Sequence, residues 1–185
     1  PDQGKVLING QEVTHAPMHM RSKIGLGYLP QEASIFSDLT VKENLMGIAE
    51  LAIESKEIRT EAVKKLIEEF SLMGLLNLKG RMLSGGQRRK VEIARTLVCN
   101  PNILLLDEPF AGIDPIAVEE IKGLLKKIAK RNISILITDH NVRETLSLCD
   151  RAIILSEGKI IADGAEDELV QNAHVKEKYF GNMFS

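Results

Sequence analysis

Ile103-Leu104-Leu105-Leu106-Asp107-Glu108-Pro109 reads as the central strand of an α/β protein. A continuous apolar run of this length is the pattern of a strand buried in a parallel sheet, and two adjacent carboxylates stand where it must emerge. Strand ends of this kind hold ligands in α/β folds, and a carboxylate there suits Mg²⁺. Downstream, the pattern continues in alternation. Pro115 to Arg131 is an amphipathic helix, Ile133 to Thr138 a second buried strand, and Asn141 to Cys149 a helix capped by Asn141 and Glu144. Ala152–Leu155 and Lys159–Ala162, split by Ser156-Glu157-Gly158, predict a closing hairpin, with the remainder helical or frayed.

One helix-length upstream lies Leu83-Ser84-Gly85-Gly86-Gln87. Glycines at a helix start let backbone N–H groups approach a phosphate, where the helix dipole favours negative charge. The same residues also read as a capping box, Ser84 with Gln87, opening the basic helix Gln87 to Val98. A capping box leaves the paired glycines unexplained, since both cost helix stability.

Further upstream, Asn9-Gly10 between Val6-Leu7-Ile8 and Gln11-Glu12-Val13 predicts a β-hairpin. Ile24 to Leu29 is a short strand ended by Pro30, which delivers Gln31 to a polar loop running to Leu39 and carrying Phe36. Thr40-Val41-Lys42-Glu43 is a capping box that starts a helix through about Ala52, and Ser55 to Met73 follows at helical spacing. Thr40 to Lys79 therefore looks like a helical insertion in the α/β core. One domain over 1–185 is expected, with a helical subdomain at 40–98 and core parts at 1–39 and 99–185.

Composition bounds the function. The 185 residues, 44% of them hydrophobic, suffice for one domain with a sizeable core. Lys+Arg at 24 against Asp+Glu at 26 gives a net charge of -2, without the basic excess expected of a nucleic-acid binder. Cys99 and Cys149 stand in apolar surroundings without metal-ligand spacing, and are expected to be buried thiols of a reducing compartment. No apolar run reaches the ~20 residues that span a bilayer, so a role at the membrane is expected to be through a partner.

Gln31 in a loop after a strand, a helical insertion, Leu83 to Gln87, a strand ending in Asp107-Glu108, Phe110-Ala111-Gly112-Ile113-Asp114 and His140 after a further strand occur here in one order. In that order they resemble the ATP-binding cassette (ABC) family of ATPases over essentially the whole chain. The resemblance implies a P-loop NTPase-like parallel-sheet core and a set of roles. Gln31 corresponds to the glutamine that senses Mg²⁺ and the attacking water, and Ser84, Gly85, Gly86 and Gln87 to the signature motif. Asp107 corresponds to the Mg²⁺-side carboxylate and Glu108 to the general base. Asp114 falls in the loop that crosses to a second subunit, and His140 corresponds to the switch histidine.

ATP and Mg²⁺ are the implied cofactors. A homodimer closing on ATP beneath transmembrane transporter subunits is the implied assembly, with those subunits docking near Phe36, Leu39 and Leu45. The implied location is cytoplasmic, peripheral on the inner membrane. Within the family, the strings at 27–36, 106–115 and 137–145 resemble ATPases that energise lipopolysaccharide export in Gram-negative bacteria. Branched-chain amino-acid importers share part of this phrasing. Non-transport ATPases of the superfamily and a non-enzymatic interaction module are further alternatives.

The G-x-x-x-x-G-K-[ST] phosphate loop of that family does not occur among these residues, and Gly4-Lys5-Val6 does not replace it. The chain reads as a fragment that by itself lacks the main ATP affinity and activity, its Ser84-Gly85-Gly86 serving nucleotide held by another subunit.

Overall fold

The structure, a computed structural model, describes residues 2–172 and residue 175. Two compact units divide the chain, Pro1–Thr138 and Asp139–Ser185.

The first unit is built on a parallel three-stranded sheet, β3 (Leu26–Leu29), β4 (Ile103–Asp107) and β5 (Ser134–Thr138), in that spatial order. Leu29 pairs with Leu106, and Leu106 with Ile137, so the strands end together and present Asp107 beside Thr138. Leu29, Leu104 and Leu106 share one face and are fully buried, as are Ile93 of α4 (Gly85–Leu97) and Ile121, Leu125 and Ile128 of α5 (Pro115–Ala129). Helix α4 packs on β3 and on α5.

The opposite face departs from the sequence expectation. β4 and β5 were expected to be buried on both faces, yet β4 alternates and Leu136 of β5 is 59% exposed. The register explains this: Tyr28, Leu105 and Leu136 lie side by side on the second face. The hairpin β1 (Leu7–Ile8) and β2 (Gln11–Glu12) packs Ile8 and Val13 against Leu26, Ile103 and Leu105, covering one end of that face only. Asn9 and Gly10 close the hairpin with φ of 50° and 78°, the left-handed pair a two-residue turn demands. The short helix α1 (Met18–Lys23) follows; it has no side-chain cap, and its six residues offered the sequence too little periodicity to be seen.

Thr40 caps α2 (Val41–Ala52) as the sequence predicts: its hydroxyl accepts from Glu43 N, and the Glu43 carboxylate accepts from Thr40 N at 2.7 Å. The Thr40 N–H foremost, and then the Thr40 hydroxyl, which also donates to Glu43 Oε2 at 2.8 Å, hold the Glu43 carboxyl below the usual carboxylate range. Ser55 caps α3 (Lys56–Glu69). The two ends of the helical insertion are clasped together, with Thr40 bridging Lys79, Val41 N donating to Leu78 O and Gly80 N to Leu39 O. Short 3-10 turns, Met73–Leu75 and Gly80–Met82, lead from it to α4. Leu45 is completely buried in this packing, alongside Val41 and Ala49 of α2. It is therefore part of the helical core and not an accessible docking contact, because the apolar stripe of α2 faces inward.

The second unit contains α6 (Val142–Leu146), the antiparallel hairpin β6 (Ala152–Ser156) and β7 (Lys159–Gly164), and α7 (Glu166–Gln171). Leu146, Ile154, Ala162, Leu169 and Val175 form its core. Arg151 grips Asp163 across the hairpin through two hydrogen bonds of 2.7 and 2.5 Å. That pairing pushes the Asp163 carboxyl down and the Arg151 guanidinium up. The rest of the expected C-terminal helix or frayed end lies outside the described residues. Both cysteines are half-buried free thiols, less enclosed than expected, and burial raises the pKa of each.

Candidate functional site

Three chain segments of the first unit meet at the ends of β3 and β4. Pro30 stops β3, and the loop behind it brings the Gln31 side chain to Glu108, whose Oε2 accepts from Gln31 Nε2 at 2.8 Å. Glu108 follows β4 directly and has a φ of 43°, left-handed backbone that costs a residue with a side chain about 1–2 kcal/mol. Its N–H donates to Thr138 O at 2.8 Å and its carbonyl accepts from Ala111 N at 3.2 Å, so the turn is held from both sides. Asp107, one residue earlier, accepts from the Thr138 hydroxyl at 2.6 Å. A strained, over-determined backbone beneath a carboxylate is the arrangement found where a side chain must be aimed.

The donor set fits Mg²⁺. Asp107 supplies a carboxylate oriented by Thr138, and Gln31, whose NH₂ is committed to Glu108, retains an amide carbonyl oxygen. Both are hard oxygens of the kind Mg²⁺ takes beside phosphates and water. When bound, the ion neutralises charge developing on a transferred phosphoryl group.

Ser84 to Gln87 form the start of α4. Ser84 Oγ accepts from Gln87 N at 3.3 Å, and Ser84 N donates to Gln87 Oε1 at 3.0 Å, so the capping box is real. The glycines have a packing reason the sequence did not reveal. A Cβ on Gly86 would overlap the Cβ of Ala117 in the first turn of α5, and one on Gly85 would stand 3.1 Å from Gly112 O. Their bareness lets two helix starts touch. Asp114 caps α5, its Oδ1 accepting from Ala117 N at 3.0 Å, with Pro115 at the first helical position.

His140 belongs to the second unit. It follows Asp139, whose Oδ1 accepts from Asn141 N at 2.7 Å and lies 4.0 Å from His140 Nδ1. Phe36, 53% exposed, lies under the Arg95 guanidinium at 5.1 Å, and Leu39 is also exposed. Arg95 additionally donates to Ser34 O, and burial lowers its pKa. Asn44 ties the same loop to α2: its Oδ1 accepts from Phe36 N at 2.9 Å, and its Nδ2 donates to Phe36 O at 3.0 Å.

The sequence missed Arg89 and Glu92. Both are buried on α4 and paired at 3.4 Å. Burial lowers the Arg89 pKa and Glu92 opposes the shift. Removing one member of such a pair costs about 3–5 kcal/mol, because the other is left as an uncompensated charge. The available signal was position: Arg89 falls on the stripe that carries Gly86, Ile93 and Leu97, where a solvated charge does not belong.

A parallel sheet whose strand ends bear a glutamine–glutamate pair and an adjacent carboxylate, beside a helix opened by Ser-Gly-Gly-Gln, is the arrangement that the resemblance to nucleotide-hydrolysing cassettes implies. The chain belongs to the ABC transporter family. The family model described as ABC transporter matches residues 1–111. The lipopolysaccharide export system ATP-binding protein LptB of Haemophilus influenzae is 50% identical over 184 residues, spanning 99% of this chain and 76% of that protein. LptB of Escherichia coli K12 is 47% identical over the same shares. Among solved structures, the ADP conformation of the ABC transporter cassette MJ1267 superposes with a TM-score of 0.83 at 28% identity, covering 97% of this chain and 78% of that one. The dimeric post-hydrolysis state of the cassette MJ0796, bound to ADP and Pi, gives 0.77 at 26% identity over 90% and 75%. The chain is thus from an ATP-hydrolysing, ATP-binding subunit of an ABC transporter. Among its described residues, no helix is long and apolar enough to cross a membrane.

Proposed function

We propose that the full-length protein energises lipopolysaccharide extraction and export from the inner membrane, as a homodimer docked on the cytoplasmic face of transmembrane subunits of the LptF/LptG kind. The observation that carries this is the 50% identity over 184 residues to the H. influenzae protein of that export system. In this reading ATP lies between two copies. One copy supplies Gln31, Asp107 and Glu108, with Glu108 orienting and deprotonating the attacking water; His140, in the second unit, corresponds to the switch histidine of the family. The other supplies Ser84, Gly85, Gly86, Gln87 and Asp114. The short distance from Gln31 to Glu108 supports the assignment of both to one catalytic step. ATP binding draws the copies together and hydrolysis releases them, a population shift passed to the membrane subunits.

Docking through Phe36 and Leu39 is supported by their exposure on the loop that delivers Gln31. The test is the full-length protein reconstituted with its membrane subunits in vesicles containing lipopolysaccharide. ATP-dependent release of lipopolysaccharide to an acceptor is expected. In the same preparation Phe36→Ala is expected to weaken co-purification with the membrane subunits about tenfold, a loss of about 1.4 kcal/mol. ATP-driven movement of a branched-chain amino acid, with lipopolysaccharide left in place, would contradict the substrate assignment.

A further inference from the structure

The buried Arg89 guanidinium forks into the backbone on both sides of the Gln31–Glu108 contact. Its Nη2 donates to Glu108 O at 2.8 Å, its Nε to Pro109 O at 3.0 Å, and its Nη1 to Pro30 O at 3.1 Å. Pro30 immediately precedes Gln31. The same Nη1 reaches Glu92 Oε2 at 3.4 Å, while Glu92 Oε1 accepts from Ser34 N at 2.8 Å and Ile35 N at 3.3 Å. One ion pair on α4 thus holds the turn that bears Glu108 and both ends of the loop segment that bears Gln31. The Glu108 backbone is left-handed and needs such a restraint.

We propose that Arg89, oriented by Glu92, is a positioning residue for hydrolysis: it fixes Glu108 against Gln31 and ties that geometry to the helix that opens with Ser84–Gln87. A planar fork is required, because a lysine ammonium at the same place is a point charge that cannot reach three diverging carbonyls at once. Displacement of α4 is then transmitted to the base through the Glu108 backbone carbonyl that Arg89 holds. The inference rests on the reading of Glu108 as the base.

The test is a double-mutant cycle in the full-length protein, with single-turnover ATP hydrolysis followed for hours so that slow variants remain measurable. Arg89→Lys is expected to lower the hydrolysis rate about thirtyfold while the KM for ATP stays within about threefold. In the Glu108→Gln background, the same change is expected to lower the residual rate by less than about threefold, since the group it positions is already disabled. Equal losses in the two backgrounds, or a wild-type rate for Arg89→Lys, would overturn the proposal. A wild-type rate for Glu108→Gln alone would instead remove the base assignment, and is read without any change at Arg89. Glu92→Asp serves if Arg89→Lys does not fold. It keeps the charge that compensates Arg89 while drawing the carboxylate back from the Ser34 and Ile35 amides, and is expected to give the same sub-additive pattern with about a fivefold loss; additive losses there overturn the proposal equally.

Discussion

Glu108→Gln in the full-length protein is expected to cut ATP turnover by about 10²–10⁴-fold, the usual worth of a positioned general base. Nucleotide binding is expected to survive, because the substitution is isosteric and its backbone restraints are untouched. Glu108 N–H still bonds Thr138 O, and Arg89 still holds the Glu108 carbonyl. The Gln31 amide still finds an oxygen in the new side chain, so the loop stays in place. The expected signature is a collapse in kcat with a KM for ATP changed by less than about threefold, as when an interaction of the transition state alone is lost. Turnover within about twofold of the parent would take the base role away from Glu108.

Gly86→Ala is expected to lower stability by about 2 kcal/mol, or roughly 4–8 °C in Tm for a chain of this size. The cause is overpacking. The added methyl would occupy the place of Ala117 Cβ, and neither helix start can retreat easily, since Ser84 and Asp114 cap them from either side of the contact. ATP turnover should fall with it, because α4 and α5 must separate and α4 carries Arg89. The compensating change is Ala117→Gly, which reopens the space at a cost of about 1 kcal/mol in helix propensity. The double variant should regain about half of the lost Tm and the part of the turnover that the displaced Arg89 had cost. Turnover that stays low after the stability returns is the loss of the Gly86 approach to nucleotide held by the other copy, whereas a Tm that does not return would show that the packing account of its bareness is wrong.

That contrast marks where the sequence is legible. Thr40 with Glu43, Asn9 with Gly10 and the apolar run at Ile103 each announce their element, because capping, positive φ and strand formation depend on neighbours along the chain. The motif residues Gln31, Asp107 and Glu108 were likewise readable, and the structure brings all three to the ends of β3 and β4. What depends on the third dimension was not readable. Leu45 and Leu39 are both apolar residues beside the same loop, yet one is fully buried and the other exposed, a difference set by which way α2 turns. Leu136 sits in a strand as apolar as its neighbour but on the face the hairpin does not reach. Arg89 and Glu92 escaped notice because a charged residue on a helix is ordinarily solvated, and their burial follows from where the Pro30 and Pro109 carbonyls converge.

On the proposed function each ATP is shared, with Glu108 from one copy and Ser84 to Gln87 from the other. Mixed dimers of the full-length protein test it directly, using two affinity tags and one measured round of ATP hydrolysis. Ser84→Arg on one copy and Glu108→Gln on its partner leave one intact shared site, so hydrolysis of about half the bound ATP is expected. Placing both changes on one copy beside an unaltered partner damages both shared sites and should abolish the fast phase. The reverse pattern, hydrolysis with both changes on one copy and none when they are split, would show that each copy works on its own nucleotide and would contradict the account.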